Sequence, residues 1–115
     1  MSIALENAVY NKQEDLINLL LESGEVPTKH ILDVAAYSYP ELLIKLINYG
    51  LNPDIDTLNN VVSSGNLIIV DFLCKNYNIE LDCFTFENAI LSGNLELLQY
   101  LKHLSEFDIL NDIEV

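Results

Sequence analysis

The chain has 115 residues, 50% of them apolar, and carries 18 acidic residues against five lysines, for a formal charge of −13. This length suits one domain with a continuous core. The charge excludes direct nucleic-acid binding and anionic-membrane binding, both of which draw on Lys and Arg, and no apolar run is long enough to span a bilayer.

A helical phrase begins at Ala8, Val34, Val61 and Ala89, so that successive copies start 26, 27 and 28 residues apart. A fixed period of this size marks a repeat array. In the first repeat, about residues 5–30, Leu5, Ala8 and Val9 lie on one side of a polar break. Leu16, Ile17, Leu20 and Leu21 lie on the other. Spacings of three and four residues on both sides predict two short antiparallel helices, with Gly24 as the stop after the second.

The second repeat, about residues 31–56, keeps the pattern in VAAYSYPELLIKLI at 34–47. Pro40 suits the first turn of its second helix, where a missing N–H costs little. Gly50 is the corresponding stop. The third and fourth repeats, about 57–84 and 85–104, contain VVSSGNLIIVDFL and AILSGNLELLQYL and share the tetrapeptide SGNL. Gly tolerates the backbone angles of a tight turn, and Asn66 and Asn94 can cap the helix that follows. Thr57 and Thr85 suit N-caps of the preceding helices. The shared register aligns Ile17, Leu43, Val70 and Leu98, then Leu20, Leu46, Leu73 and Leu101.

Glu14 and Asp15 take the turn filled by Asn-Leu in later copies, and Lys102 replaces the apolar residue found at Leu21, Ile47 and Cys74. Polar end units are what a repeat array needs, so the chain is expected to be complete. Residues 105–115 fall outside the period. Phe107, Leu110 and Ile113 are expected to lay an amphipathic turn over the last repeat as a cap.

The small apolar pair, the Gly-Asn-Leu turn, the branched residue nine positions on, the Leu three later and the terminal Gly resemble the ankyrin repeat over residues 5–104. Ankyrin repeats run 33 residues and open on T-P-L-H-x-A. Here only Thr57-Leu58 and Thr85-Phe86 match that opening. The missing residues fall in the connectors at 24–31, 50–58 and 77–86, which form β-hairpin fingers in the family and should be short loops here. The expected fold is all-α, an ankyrin-like solenoid of four helix-turn-helix repeats; other helical-hairpin arrays share a similar period. The resemblance implies protein binding without catalysis, and it names no partner.

The acids are not evenly spread. Glu25, Asp54, Asp56, Glu80 and Asp82 fall in the connectors, and Glu6, Asp33 and Glu87 lie early on the inner helices. In an ankyrin-like stack these segments share the concave side, which makes one acidic wall suited to a partner protein with a basic surface. Tyr10 and Tyr37 lie near the ends of adjacent inner helices and Tyr39 in the turn, where amphipathic rings serve as interface anchors. Phe72 and Tyr100 share an outer-helix column. Asn7, Asp33, Asn60 and Asn88 form a polar column that can cross-link repeats or meet a partner.

Catalytic and metal chemistry is not expected. His30 and His103 lack a nucleophile arrangement, and His30 is expected in a connector. Cys74 takes an apolar helix position and Cys83 a connector position, without zinc spacing. Asp54-x-Asp56 starts like a calcium loop, but Leu58 stands where a third oxygen ligand belongs. No cofactor is implied. The start MSIALENAV lacks a signal-peptide pattern, so a cytoplasmic location is expected. Two functions fit: a binding module acting as an acidic inhibitor of a basic, nucleic-acid-handling partner, of immunity or anti-defence type, and a structural adaptor whose acidity serves solubility.

Overall fold

The computed structural model describes the backbone of residues 3–113 and the side chains of residues 3–105. Every regular element among the described residues is helical. Helix α1 (Ile3–Tyr10) buries Leu5, Ala8 and Val9. It ends in a Schellman turn: Gln13 N–H reaches Ala8 O at 2.9 Å and Lys12 N–H reaches Val9 O at 3.1 Å. Lys12 holds φ 56°, the one left-handed non-glycine residue among those described. Helix α2 (Glu14–Glu22) has Glu14 and Asp15 in its first turn, where the helix dipole favours acids.

Thr28 caps α3 (Lys29–Ser38) by accepting from Ile31 N–H at 3.3 Å. Pro40 then opens a 3-10 turn (Pro40–Leu42) that runs into α4 (Leu43–Ile47). The second copy therefore turns without a left-handed residue and registers one residue later than its sequence implies. Ala35, not Val34, is the fully buried counterpart of Ala8, Val61 and Ala89.

Helices α5 (Ile55–Ser64) and α7 (Cys83–Ser92) begin with capping boxes, in which the Asp54 and Asp82 carboxylates accept from the Thr57 and Thr85 N–H groups. The threonine hydroxyls accept in return from the Asp54 and Asp82 N–H groups, each at 3.2 Å. This corrects the expected caps: Thr57 and Thr85 are the third residues of their helices and are fully buried. Gly65 (φ 77°) and Gly93 (φ 71°) close α5 and α7 in the left-handed region. Asn66 and Asn94 then start α6 (Leu67–Asn76) and α8 (Leu95–Ile113), accepting from the Ile69 and Leu97 N–H groups at 3.1 Å. Helix α8 continues to Ile113, and the expected cap by Phe107, Leu110 and Ile113 involves side chains outside the described residues.

The helices touch in chain order. Helix α1 packs on α3, α3 on α5 and α5 on α7, and each also packs on the helix that follows it. The short axis of 19 Å corresponds to two helix diameters of about 10 Å. Inner residues Leu5, Leu32 and Leu58 join outer residues Ile17, Leu43, Val70, Leu46, Leu73 and Leu101 in one buried cluster. Leu20 and Leu98 are only partly buried, and Leu21 and Leu97 take the deeper places. Val9, Ala36 and Val62 are fully buried, whereas their counterpart Ile90 on α7 is 62% exposed.

Hydrogen bonds between neighbouring pairs repeat with the chain period. Thr57 Oγ1 donates to Asp33 at 3.0 Å and Thr85 Oγ1 to Asn59 at 2.7 Å. Asn66 reaches Glu41 at 3.1 Å, Asn94 reaches Gly65 O at 3.1 Å, and Lys45 donates to Asn18. Of the expected column of Asn7, Asp33, Asn60 and Asn88, Asp33 does cross-link neighbouring pairs, whereas in the next pair the bond goes to Asn59, one residue before Asn60.

Candidate partner-binding surface

Seven of the eleven expected site residues line two clefts that share no lining residue, so they do not form one continuous wall. The first, about 360 Å³, lies across α1, α3 and α5: α1 contributes Glu6 and Tyr10, α3 contributes His30, Asp33, Val34 and Tyr37, and α5 contributes Asn60. The four α3 residues recur at spacings of three and four, and Glu6 and Tyr10 are four apart, so helix geometry alone puts each set on one face. Tyr10 and Tyr37 are 63% and 60% exposed, a large apolar area left open to solvent. His30 lies within α3, not in a connector, and its Nε2–H donates to Glu6 Oε1 at 2.8 Å.

Asp33 carries part of the fold. Its two oxygens accept from Lys29 at 2.6 Å and from Thr57 at 3.0 Å. Lys29 also lies 3.1 Å from Asp54. Desolvation pulls the Lys29 ammonium down in pKa, but the Asp33 and Asp54 carboxylates outweigh it and leave the group above its ordinary value.

The second cleft, about 450 Å³, is formed where the connector before α7 meets the start of α5, and Asp54, Glu80 and Asp82 line it with Ile55, Ile79 and Leu81. Burial raises the Asp54 carboxyl, but the Thr57 N–H and the Lys29 ammonium bring the net value below the ordinary one. Asp82 shows the same balance, with the Thr85 N–H and the Asn59 amide overcoming desolvation. Both aspartates are therefore N-caps first and surface charges second.

The remaining candidates stand apart from these clefts. Glu25 lies in the connector before α3, Asp56 is an exposed residue of the first turn of α5, and Glu87 is exposed on α7. Tyr39 is half-buried and its hydroxyl donates to Glu14 at 3.3 Å. Desolvation and the Glu14 carboxylate raise its pKa. On the outer helices, Tyr100 donates to Asp71 at 2.6 Å, and burial together with that carboxylate raises the phenol.

His30 and Val34 are cleft residues that the sequence does not single out for binding, and Asn60 enters the cleft from the polar column expected to cross-link repeats or meet a partner. The i, i+3, i+4, i+7 run of His30, Asp33, Val34 and Tyr37 is the signal that marks His30 and Val34. Among the described residues no group of three or more His, Cys, Asp or Glu side chains can hold a metal ion, and no helix is long and apolar enough to cross a membrane. Cys83 is the exposed first residue of α7, not a connector residue, and Cys74 is half-buried. The chain matches no family model, no curated protein and no solved structure.

Proposed function

We propose that this protein is a non-enzymatic protein-binding module, an ankyrin-like solenoid of four helix pairs that uses its inner-helix side to engage a basic partner. The chain-order packing of α1, α3, α5 and α7 supports the solenoid reading, as do cross-links such as Thr57–Asp33 and Thr85–Asn59 between residues about one period apart. The observation that carries the binding reading is the cleft in which two exposed tyrosines stand beside Glu6 and Asp33 in a chain of formal charge −13. Aromatic anchors amid acids suit a cationic surface, and a field of this sign speeds encounter with one. The partner class is a protein with a basic, nucleic-acid-handling surface, which this protein occludes as an inhibitor of immunity or anti-defence type.

Affinity capture from a cell extract at low and at high salt, followed by competition with nucleic acid for the captured protein, tests this. A basic partner released by salt and displaced by nucleic acid is the expected result. Capture that is insensitive to both favours the second reading, a structural adaptor. That reading draws on the structural use of Asp33, Asp54 and Asp82, whose carboxylates serve helix capping and cross-linking.

A further inference from the structure

We propose that the cleft across α1, α3 and α5 receives one arginine side chain of a protein partner, with Glu6 as its counter-ion and Tyr10 and Tyr37 as its stacking surfaces. The proposal rests on the binding reading above and assigns its point of contact. A cleft of about 360 Å³ is near the small end of ligand sites, which begin at about 300 Å³. It suits a single side chain better than a folded element.

The cleft combines two kinds of surface. Two tyrosine rings and Val34 supply carbon walls, and Glu6, Asp33 and the Asn60 amide supply acceptors. A guanidinium group needs both, because it is planar and weakly hydrated, stacks on aromatic faces, and donates in a fork to a carboxylate. A lysine ammonium is a compact, strongly hydrated point charge and gains less from the rings. A carboxylate or phosphate would meet repulsion.

The two carboxylates are not equivalent. Asp33 already accepts from Lys29 at 2.6 Å and from Thr57 at 3.0 Å, so its charge is compensated and its geometry fixed. Glu6 is held at Oε1 by His30 at 2.8 Å, and no donor among the described residues reaches Oε2. The His30 contact orients Glu6 and leaves Oε2, with the second lone pair of Oε1, for an incoming fork. Asp33 is a positioning residue, joining this cleft to the start of α5 through Thr57.

The test is an amide NMR titration of the full chain with the blocked peptide acetyl-Gly-Arg-Gly-amide, with its lysine and citrulline analogues as comparisons. Saturable shifts centred on Tyr10, His30, Tyr37 and Asn60 are expected, with binding about five-fold weaker for lysine and absent for citrulline. Tyr37→Ala and Glu6→Gln should each weaken the arginine peptide about five-fold. Thermal melts confirm that each variant is folded, and Tyr10→Ala serves where one is not. Shifts spread over all the acids, or an unchanged response in the tyrosine variants, overturn the proposal. A parallel titration with deca-lysine separates the two readings. Deca-lysine binding without a focused arginine response rejects the cleft and leaves the binding reading standing; a focused arginine response without deca-lysine binding supports the cleft and confines the binding reading to it; neither response rejects both.

Discussion

Thr57 Oγ1 stands 3.0 Å from Asp33 Oδ1, so a buried threonine of one helix pair is bonded to a carboxylate of the pair before it. Thr57 is fully buried, and its hydroxyl also accepts from the Asp54 N–H at 3.2 Å. One hydroxyl thus joins the cap of its own helix to the neighbouring repeat. It has a single proton, and the shorter contact to Asp33 takes it in preference to Asp54 Oδ1 at 3.3 Å.

Thr57→Val removes that link while keeping the shape. It should destabilise by about 1 kcal/mol, the net worth of a typical hydrogen bond, since the Asp33 carboxylate keeps access to water and its Lys29 contact. Thr57→Ser should recover part of the loss. Urea unfolding checks this, and a valine variant as stable as the parent would refute the cross-link's contribution.

Lys12 occupies, at φ 56°, the place that Gly65 and Gly93 take in later repeats. A side chain in the left-handed region costs about 1 kcal/mol, part of which glycine returns by loosening the unfolded chain. Lys12→Gly should therefore raise the melting temperature, and Gly65→Ala should lower it. A Cβ at Gly65 meets only Asn94 Nδ2 at 3.9 Å, an ordinary contact, so its penalty is one of backbone angle and not of space. A fall in melting temperature for Lys12→Gly contradicts this account.

The helix pairs were legible in the sequence because burying one face of a short helix requires apolar residues three and four apart. Leu5, Ala8 and Val9 satisfy this, as do Leu58, Val61 and Val62. Asn66 and Asn94 cap as expected, whereas Asp54 and Asp82 replace Thr57 and Thr85, because Asp-x-x-Thr at 54–57 and 82–85 is a reciprocal arrangement with threonine as its second half. The offset in the second repeat follows from Tyr39-Pro40, which turns the chain without a glycine. Lys12 has no chemical mark of a positive φ; only its alignment with Gly65 and Gly93 reveals it. Of the candidate site, Glu6, Tyr10, Asp33 and Tyr37 converge on one cleft, whereas Asp54 and Asp82 are spent largely on capping, a role that composition alone does not separate from a surface charge.

The Asp54 cap makes stability depend on pH. Its carboxyl titrates below the unfolded value of about 3.9, so its contribution is complete above that value and is lost as pH falls through the lower folded one. Asp54→Ala should cost about 1 kcal/mol at pH 7 and progressively less in acid, until parent and variant melt together. Asp82→Ala should follow the same course, since Asp82 is lowered in the same direction. Melts from neutral to strongly acidic pH measure the difference. A gap that widens in acid would reverse the assigned sign.

The two thiols differ in access. Cys83 is exposed at the start of α7, and Cys74 is half-buried against the core. A thiol reagent should modify Cys83 first, with mass spectrometry of timed digests giving the order. Neither chelator nor reductant should shift the melting temperature, since both cysteines are free thiols and the described residues hold no cluster able to bind a metal ion. Equal rates at the two sites, or a large shift with reductant, would overturn this assignment.

The exposure of Ile90, where Val9, Ala36 and Val62 are covered, gives the molecule a gradient of cohesion along its length. An inner pair such as α5–α6 is held from both sides, and among the described residues α7 packs chiefly on α5 and α8, so α7–α8 is held mainly from the α5 side. On the solenoid reading proposed above, each shared boundary adds its own increment of stability. Thermal fluctuations therefore peel α7 away more readily than α3 or α5, and backbone amides along α7 trade their hydrogens with solvent sooner than those of the interior helices.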